Sequence, residues 1–181
     1  MLRRKEYRLL SLILWLCCAV GLAAAEQEKG RYLGSFNDPV RYCRAVLNAD
    51  NPQEPYIGPA KPQMVLSGIY QAAGISAAAP RDWVAGGTFW RCMDGAVYAC
   101  FAGANLPCEE KADTARAPSE AIVAYCKSNP ASAAIPAVVT GRATIFAWRC
   151  KNAVPEISRQ ALQVDARGFI ADYWYRLDRP G

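Results

Sequence analysis

The distribution of cysteine limits this chain more than any other feature. It has eight cysteines and no histidine. Cys17 and Cys18 lie in an apolar N-terminal run, and Cys43, Cys92, Cys100, Cys108, Cys126 and Cys150 are spread through the remainder. An even set reads as a disulfide framework in an oxidising compartment, and as metal ligands or free thiols elsewhere. The metal reading is the weaker one. There is no C-x-x-C pair, and without histidine only an all-thiolate zinc set remains among the common structural ones.

The first residues address the compartment. Arg3, Arg4, Lys5 and Arg8 precede an uncharged run from Leu9 to Gly21, and Ala23-Ala24-Ala25 follows before the polar Glu26. That is the order of a secretory signal: a basic start, an apolar core and a small-residue cleavage site. The core spans 13 residues, short of the roughly 20 that a transmembrane helix needs. A lipoprotein signal needs a small residue before the cysteine, whereas Leu16 and Cys17 precede Cys17 and Cys18. The sequence thus predicts a signal peptide over 1–25 and a single disulfide-stabilised domain over 26–181. It predicts a periplasmic or secreted protein with no membrane span after cleavage. Removing the leader lowers the net charge from +5 to +2. Lysine and arginine are not clustered, so no nucleic-acid partner is expected.

The mature chain reads as α+β, with an antiparallel sheet of about five strands and about three short helices. Asp38-Pro39 opens the first helix, with Val40, Cys43 and Leu47 on one face. Pro62 opens a second, with Val65, Ile69 and Ala72 inward and Gly74 as its stop. Small residues follow through Gly86-Gly87. Thr88–Met93 and Ala96–Phe101 flank Asp94-Gly95 and predict a two-residue hairpin. That register pairs Met93 with Ala96, Cys92 with Val97, Trp90 with Ala99 and Phe89 with Cys100. Cys92 and Cys100 then lie on opposite faces and do not bond each other. Pro118 opens a third helix, with Ile122, Val123 and Cys126 inward. Strands are predicted over 143–151, 157–164 and 169–177, with turns at 152–155 and 165–168. In the last strand Phe169, Ala171, Tyr173, Tyr175 and Leu177 share one face. Ile170, Asp172, Trp174 and Arg176 share the more polar one, as in a sheet covered on one side.

Two segments echo each other. Tyr42-Cys43-Arg44 resembles Tyr125-Cys126-Lys127, and Trp90-Arg91-Cys92-Met93-Asp94 resembles Trp148-Arg149-Cys150-Lys151-Asn152. If the echo is structural, each helix is stapled to its own strand by Cys43–Cys92 and Cys126–Cys150, leaving Cys100–Cys108. An exchanged pairing between the two units remains open at this level.

The stretch Trp90-Arg91-Cys92-Met93-Asp94-Gly95, with Ala104-Asn105-Leu106-Pro107-Cys108 and Glu110-Lys111-Ala112-Asp113, resembles a family of small exported Gram-negative bacterial proteins of unassigned function. The resemblance extends through Thr140-Gly141-Arg142-Ala143, Trp148-Arg149-Cys150-Lys151-Asn152 and Asp165-Ala166-Arg167-Gly168-Phe169-Ile170. It implies export and a bacterial envelope setting, and no activity.

The missing histidine excludes Ser-His-Asp and Cys-His catalysis. Glycine-rich phosphate loops are absent. Glu109, Glu110 and Asp113 form an acidic run that reads as a solvated loop face. A glycosidase needs two carboxyls facing one bond, and the run matches no EF-hand loop. No catalytic residue, metal or cofactor is assigned. Binding candidates are Arg91 and Arg149, read as outward-facing on strands, Arg142 and Arg167 beside turn glycines, and Trp174 and Tyr173. Tyr175 joins the aromatic set, while Trp90 and Trp148 are read as core. The expected function is a non-enzymatic interaction module with an envelope protein or glycan as partner. The rivals are a carboxylate-dependent hydrolase of envelope polymers and a structural envelope component.

Overall fold

Helix α1 (Pro39–Val46) begins as its sequence requires. The Asp38 carboxylate accepts the Arg41 amide at 2.8 Å, and Pro39 takes the first turn, where no amide is needed. In this computed structural model residues 34–103 and 106–177 are described. The predicted leader, with Cys17, Cys18 and the cleavage site after Ala25, lies outside them. From Ser35 onward the chain forms one unit.

The elements after α1 are α2 (Gln63–Ala72), α3 (Arg81–Gly87), β1 (Thr88–Met93), β2 (Ala96–Phe101), α4 (Glu120–Ser128) and α5 (Ala137–Thr140). Then come β3 (Phe146–Lys151), β4 (Val154–Gln160), a 3-10 turn (Ala171–Tyr173) and β5 (Tyr175–Leu177). The architecture is α+β, but the strands form two antiparallel sheets, β1-β2-β5 and β3-β4, in place of the single sheet expected. Helices α3 and α5 were not anticipated. Both follow a proline, and both are poor in the large apolar residues that mark a helical face.

The first hairpin has the predicted register, from Met93↔Ala96 to Phe89↔Cys100. Trp90, Cys92, Val97 and Ala99 therefore face α1 and α2, in a core that includes Tyr42, Val65 and Ile69. Cys100 faces the other way, into a smaller cluster with Cys108, Phe169 and Trp174. This sheet is covered on both sides, against the one-sided expectation. A third core gathers Ile122, Cys126, Ile145, Phe146, Trp148 and Ile170 beneath β3-β4.

All six described cysteines are bridged: Cys43–Cys92, Cys100–Cys108 and Cys126–Cys150. Each long bridge staples a helix to a hairpin strand, and the backbone repeats around it. The Cys92 amide donates to the Ala49 carbonyl at 2.9 Å, and the Cys150 amide donates to Ser132 at 2.8 Å. The Gly95 amide donates to Leu47 at 2.9 Å, and the Ala153 amide donates to Pro130 at 3.0 Å. Ala49 and Ser132 lie the same distance past their helix cysteines, as do Leu47 and Pro130. The echo in the sequence is thus a repeated helix-to-hairpin unit.

Several local expectations change. Ala72 is exposed at the end of α2, and the second hairpin turns at Asn152-Ala153 into β4, in place of a turn over 152–155 and a strand over 157–164. Leu47 is exposed, because α1 ends at Val46 and Leu47 turns out with a φ of 61°. The predicted strand over 169–177 is shortened to Tyr175–Leu177. Ile170 bridges Val164 beside the second sheet, whereas Tyr175 pairs with Ala99 in the first. The chain crosses between sheets at the 3-10 turn, where Asp172 accepts the Gln163 amide at 2.8 Å. That turn breaks the alternation and brings Phe169 and Trp174 together, with ring centroids 5.6 Å apart.

Candidate functional site

The predicted binding residues separate into three places. Arg91, Trp174 and Arg167 belong to an internal clasp. On β1, Arg91 points into the face that carries Phe169 and Trp174 and is fully buried, which corrects its assignment to the surface. Its Nη2 donates to the Asp165 carboxylate, and its guanidinium carbon lies 4.3 Å from the ring centroids of both Phe169 and Trp174. Nε and Nη1 of Arg91 have no hydrogen-bond partner among the described residues. The aromatic faces around them offset part of the cost of burying the charge. Trp174 is likewise buried, not on an outward polar face.

Asp165 has two tasks here. Its Oδ1 accepts the amides of Arg167 at 2.8 Å and Phe169 at 3.1 Å, closing the turn, while Oδ2 accepts from Arg91. Burial pushes the carboxyl pKa up, but the hydrogen bonds from Arg91 and the two amides outweigh it and hold the pKa below its ordinary value. Beside it, Asp50 receives Arg167 Nε at 3.0 Å and Lys111 Nζ at 2.6 Å. Burial again opposes these bonds, and again the net shift is downward. The Lys111 ammonium sits 3.7 Å from the Phe169 centroid.

Arg149 occupies the second place, on the exposed side of β3. It pairs with Glu156 of β4 at 3.0 Å, and its side chain keeps 47% of its exposure. The outward orientation read from the sequence agrees with its position.

Arg142 and Tyr173 meet in the third place, a cleft of about 670 Å³. One wall comes from the end of β2 and the loop beyond it, with Phe101, Leu106 and Tyr175. The other comes from α5 and β3, with Ala137, Thr144 and Phe146. The Cys100–Cys108 bridge closes the first wall at its base. Gly87 permits the Phe101 ring to lie where it does, because a Cβ at Gly87 would stand 2.8 Å from that ring.

The described lining contains no carboxylate and no side-chain amide. Its polar side chains are Arg142 and the hydroxyls of Thr140, Thr144, Tyr173 and Tyr175, and the Thr140 hydroxyl donates to the Gly141 carbonyl at 3.1 Å. Arg142 is exposed and forms no ion pair among the described residues. The Thr144 hydroxyl oxygen accepts the Phe146 amide at 3.3 Å, which leaves its proton to donate. The Tyr173 pKa is raised, first by burial and then by the Asp172 charge, so its hydroxyl remains a donor at neutral pH. Glu109, Glu110 and Asp113 are exposed and lie outside this lining.

No family model, curated protein or solved structure matches the chain. Among the described residues no helix is long and apolar enough to cross a membrane, and no cluster of metal-ligating side chains is present.

Sequence reasoning identified Arg142, Tyr173 and Tyr175 but not Phe101, Leu106, Thr144 or Phe146. The signal available for the first wall was the short Cys100–Cys108 spacing with Pro107, which marks a tethered loop. Nothing local marks Phe146 as a cleft residue, since its strand reads as core.

Proposed function

We propose that the protein is a non-catalytic binding module of an exported bacterial compartment, periplasmic or extracellular, and that it binds through the cleft holding Arg142 and Tyr173. Three disulfides fit an oxidising compartment. The observation that carries the binding reading is a mainly apolar cleft whose lining cation Arg142 forms no ion pair among the described residues. Convergent polar groups on an apolar floor are the usual form of a recognition site. Two-carboxylate hydrolysis would need acids that the described lining does not contain.

The test is native mass spectrometry of the protein isolated from the producing cell's envelope with free thiols alkylated. Ala137 is exposed at the cleft rim, so Ala137→Trp fills the cleft without entering a core. The expected result is a retained partner whose yield falls at least about tenfold in Ala137→Trp and persists in Arg149→Ala. Loss in Arg149→Ala with retention in Ala137→Trp would move the site to the β3-β4 hairpin. Turnover of envelope polymer that disappears on charge reversal at Glu110 and Asp113 would replace binding by hydrolysis.

A further inference from the structure

Among the described residues, some arginines are held by carboxylates and others, Arg142 among them, are not. Arg91 pairs with Asp165, Arg149 with Glu156 and Arg167 with Asp50. Arg142, at the cleft, has no such partner among the described residues. A second cation stands nearby, because the Arg116 guanidinium lies 5.0 Å from the centroid of Phe146, a cleft wall. The described lining has no carboxylate to balance Arg142, although the Asp172 charge acts on Tyr173.

Hydroxyls both donate and accept, so the charge of Arg142 is what selects among ligands, and an ionised carboxylate complements it. A neutral glycan would leave the Arg142 charge unpaired, which makes it the poorer fit. The body of the ligand must be apolar to cover Phe101, Phe146 and Leu162.

Exposed apolar groups continue beyond the cleft. Trp83 on α3 stands edge-on to Phe101 with centroids 4.8 Å apart and is 52% exposed. Val138 on α5 is 91% exposed, between the lining residues Ala137 and Thr140. A compact amphiphile would fill the cleft and leave Trp83 and Val138 in water. A polypeptide segment has the length to cover them.

We infer that the cleft docks a segment of a partner polypeptide in which apolar side chains flank a carboxylate, with the carboxylate at Arg142. This rests on the cleft being the binding site. The test uses the full mature protein on an array of heptapeptides with mixed apolar residues around one fixed Glu, Gln or Lys. Free dodecanoate is titrated separately by calorimetry. The bound set of the wild type is expected to favour Glu over Gln members by about tenfold, the size of one charge-assisted pair. Arg142→Glu is expected to shift the preference to Lys members, and the far-ultraviolet spectrum and melting temperature check that this variant is folded.

Equal capture of Glu, Gln and Lys members, together with loss of capture in Ala137→Trp, overturns the acidic ligand and keeps the cleft. Capture that neither variant alters overturns the cleft itself. Dodecanoate binding that depends on Arg142, with no peptide captured, overturns the polypeptide in favour of a small amphiphile. Capture of no peptide and no dodecanoate overturns the inference outright.

Discussion

The Cys43–Cys92 and Cys126–Cys150 units use the same parts and reach different ends. Each has a helix cysteine bridged to a strand cysteine, a buried tryptophan two residues earlier and a tight hairpin turn after the strand. The arginine between tryptophan and cysteine is fully buried in the first unit, whereas its side chain keeps 47% of its exposure in the second. The cause lies outside both units. The outer face of β1-β2 is covered by Phe169 and Trp174 from the crossing segment, while Arg149 on β3 remains open to solvent. The same local sequence therefore makes a buried ionic lock in one place and a surface ion pair in the other.

That contrast is sharpest at the arginines. Arg91→Ala leaves Asp165 buried without its partner and is expected to cost about 3–5 kcal/mol, read from urea denaturation. A cost similar to that of Arg149→Ala would mean that the clasp is not the lock described.

Disulfide removal comes next. The bridges span 49 and 24 residues, and chain entropy alone assigns them about 4 and about 3.4 kcal/mol. Melting of Cys43→Ala/Cys92→Ala and Cys126→Ala/Cys150→Ala should preserve that order. A reversed order would mean that the second unit depends on its bridge for more than loop closure, as its smaller sheet allows.

The acid limb separates the units again. Asp165 has a native pKa below its ordinary 3.8. Its stabilisation is complete above that ordinary value and is lost as the pH falls through the lowered one. Asp165→Asn should flatten the stability profile between about pH 4 and the lowered native pKa, and Arg149→Ala should leave it unchanged.

The turns differ at both positions, and the second decides the strain. Asp94-Gly95 and Asn152-Ala153 all have positive φ, with Gly95 at 76° and Ala153 at 63°. A side chain resists that conformation by about 1 kcal/mol. Thermal melts should show Gly95→Ala destabilising by about 1 kcal/mol. Ala153→Gly should stabilise by up to about 0.5 kcal/mol, the entropy of the unfolded glycine offsetting the rest. The smallest expected effect is Arg149→Ala, below about 1 kcal/mol for an exposed pair.

The cleft depends on the same crossing that buries Arg91. Reading Phe169 to Leu177 as one strand puts Trp174 outward and Tyr173 with Phe169. The 3-10 turn brings Trp174 into the clasp, while Tyr173 packs against that cluster and also lines the cleft. Trp174, read as lying on an outward strand face, was therefore misplaced because the chain changes sheets there. Arg142, chosen because it sits beside a turn glycine, is at the cleft because turn residues remain on the surface.

By itself the sequence determined what spacing and local chemistry control. Asp38-Pro39 starts α1, and Asp94-Gly95 sets the first hairpin register. Each depends on residues within one or two turns of chain, so a short window contains the cause. Only the tertiary structure decided which face of each hairpin would be covered, and hence that Arg91 is a lock and Arg149 a surface residue. It also decided which side chains meet at the cleft, because Phe101 and Tyr173 come from segments far from Arg142 in sequence. Burial is a property of what packs against a residue, and the residues that cover β1 lie more than 70 positions from Arg91.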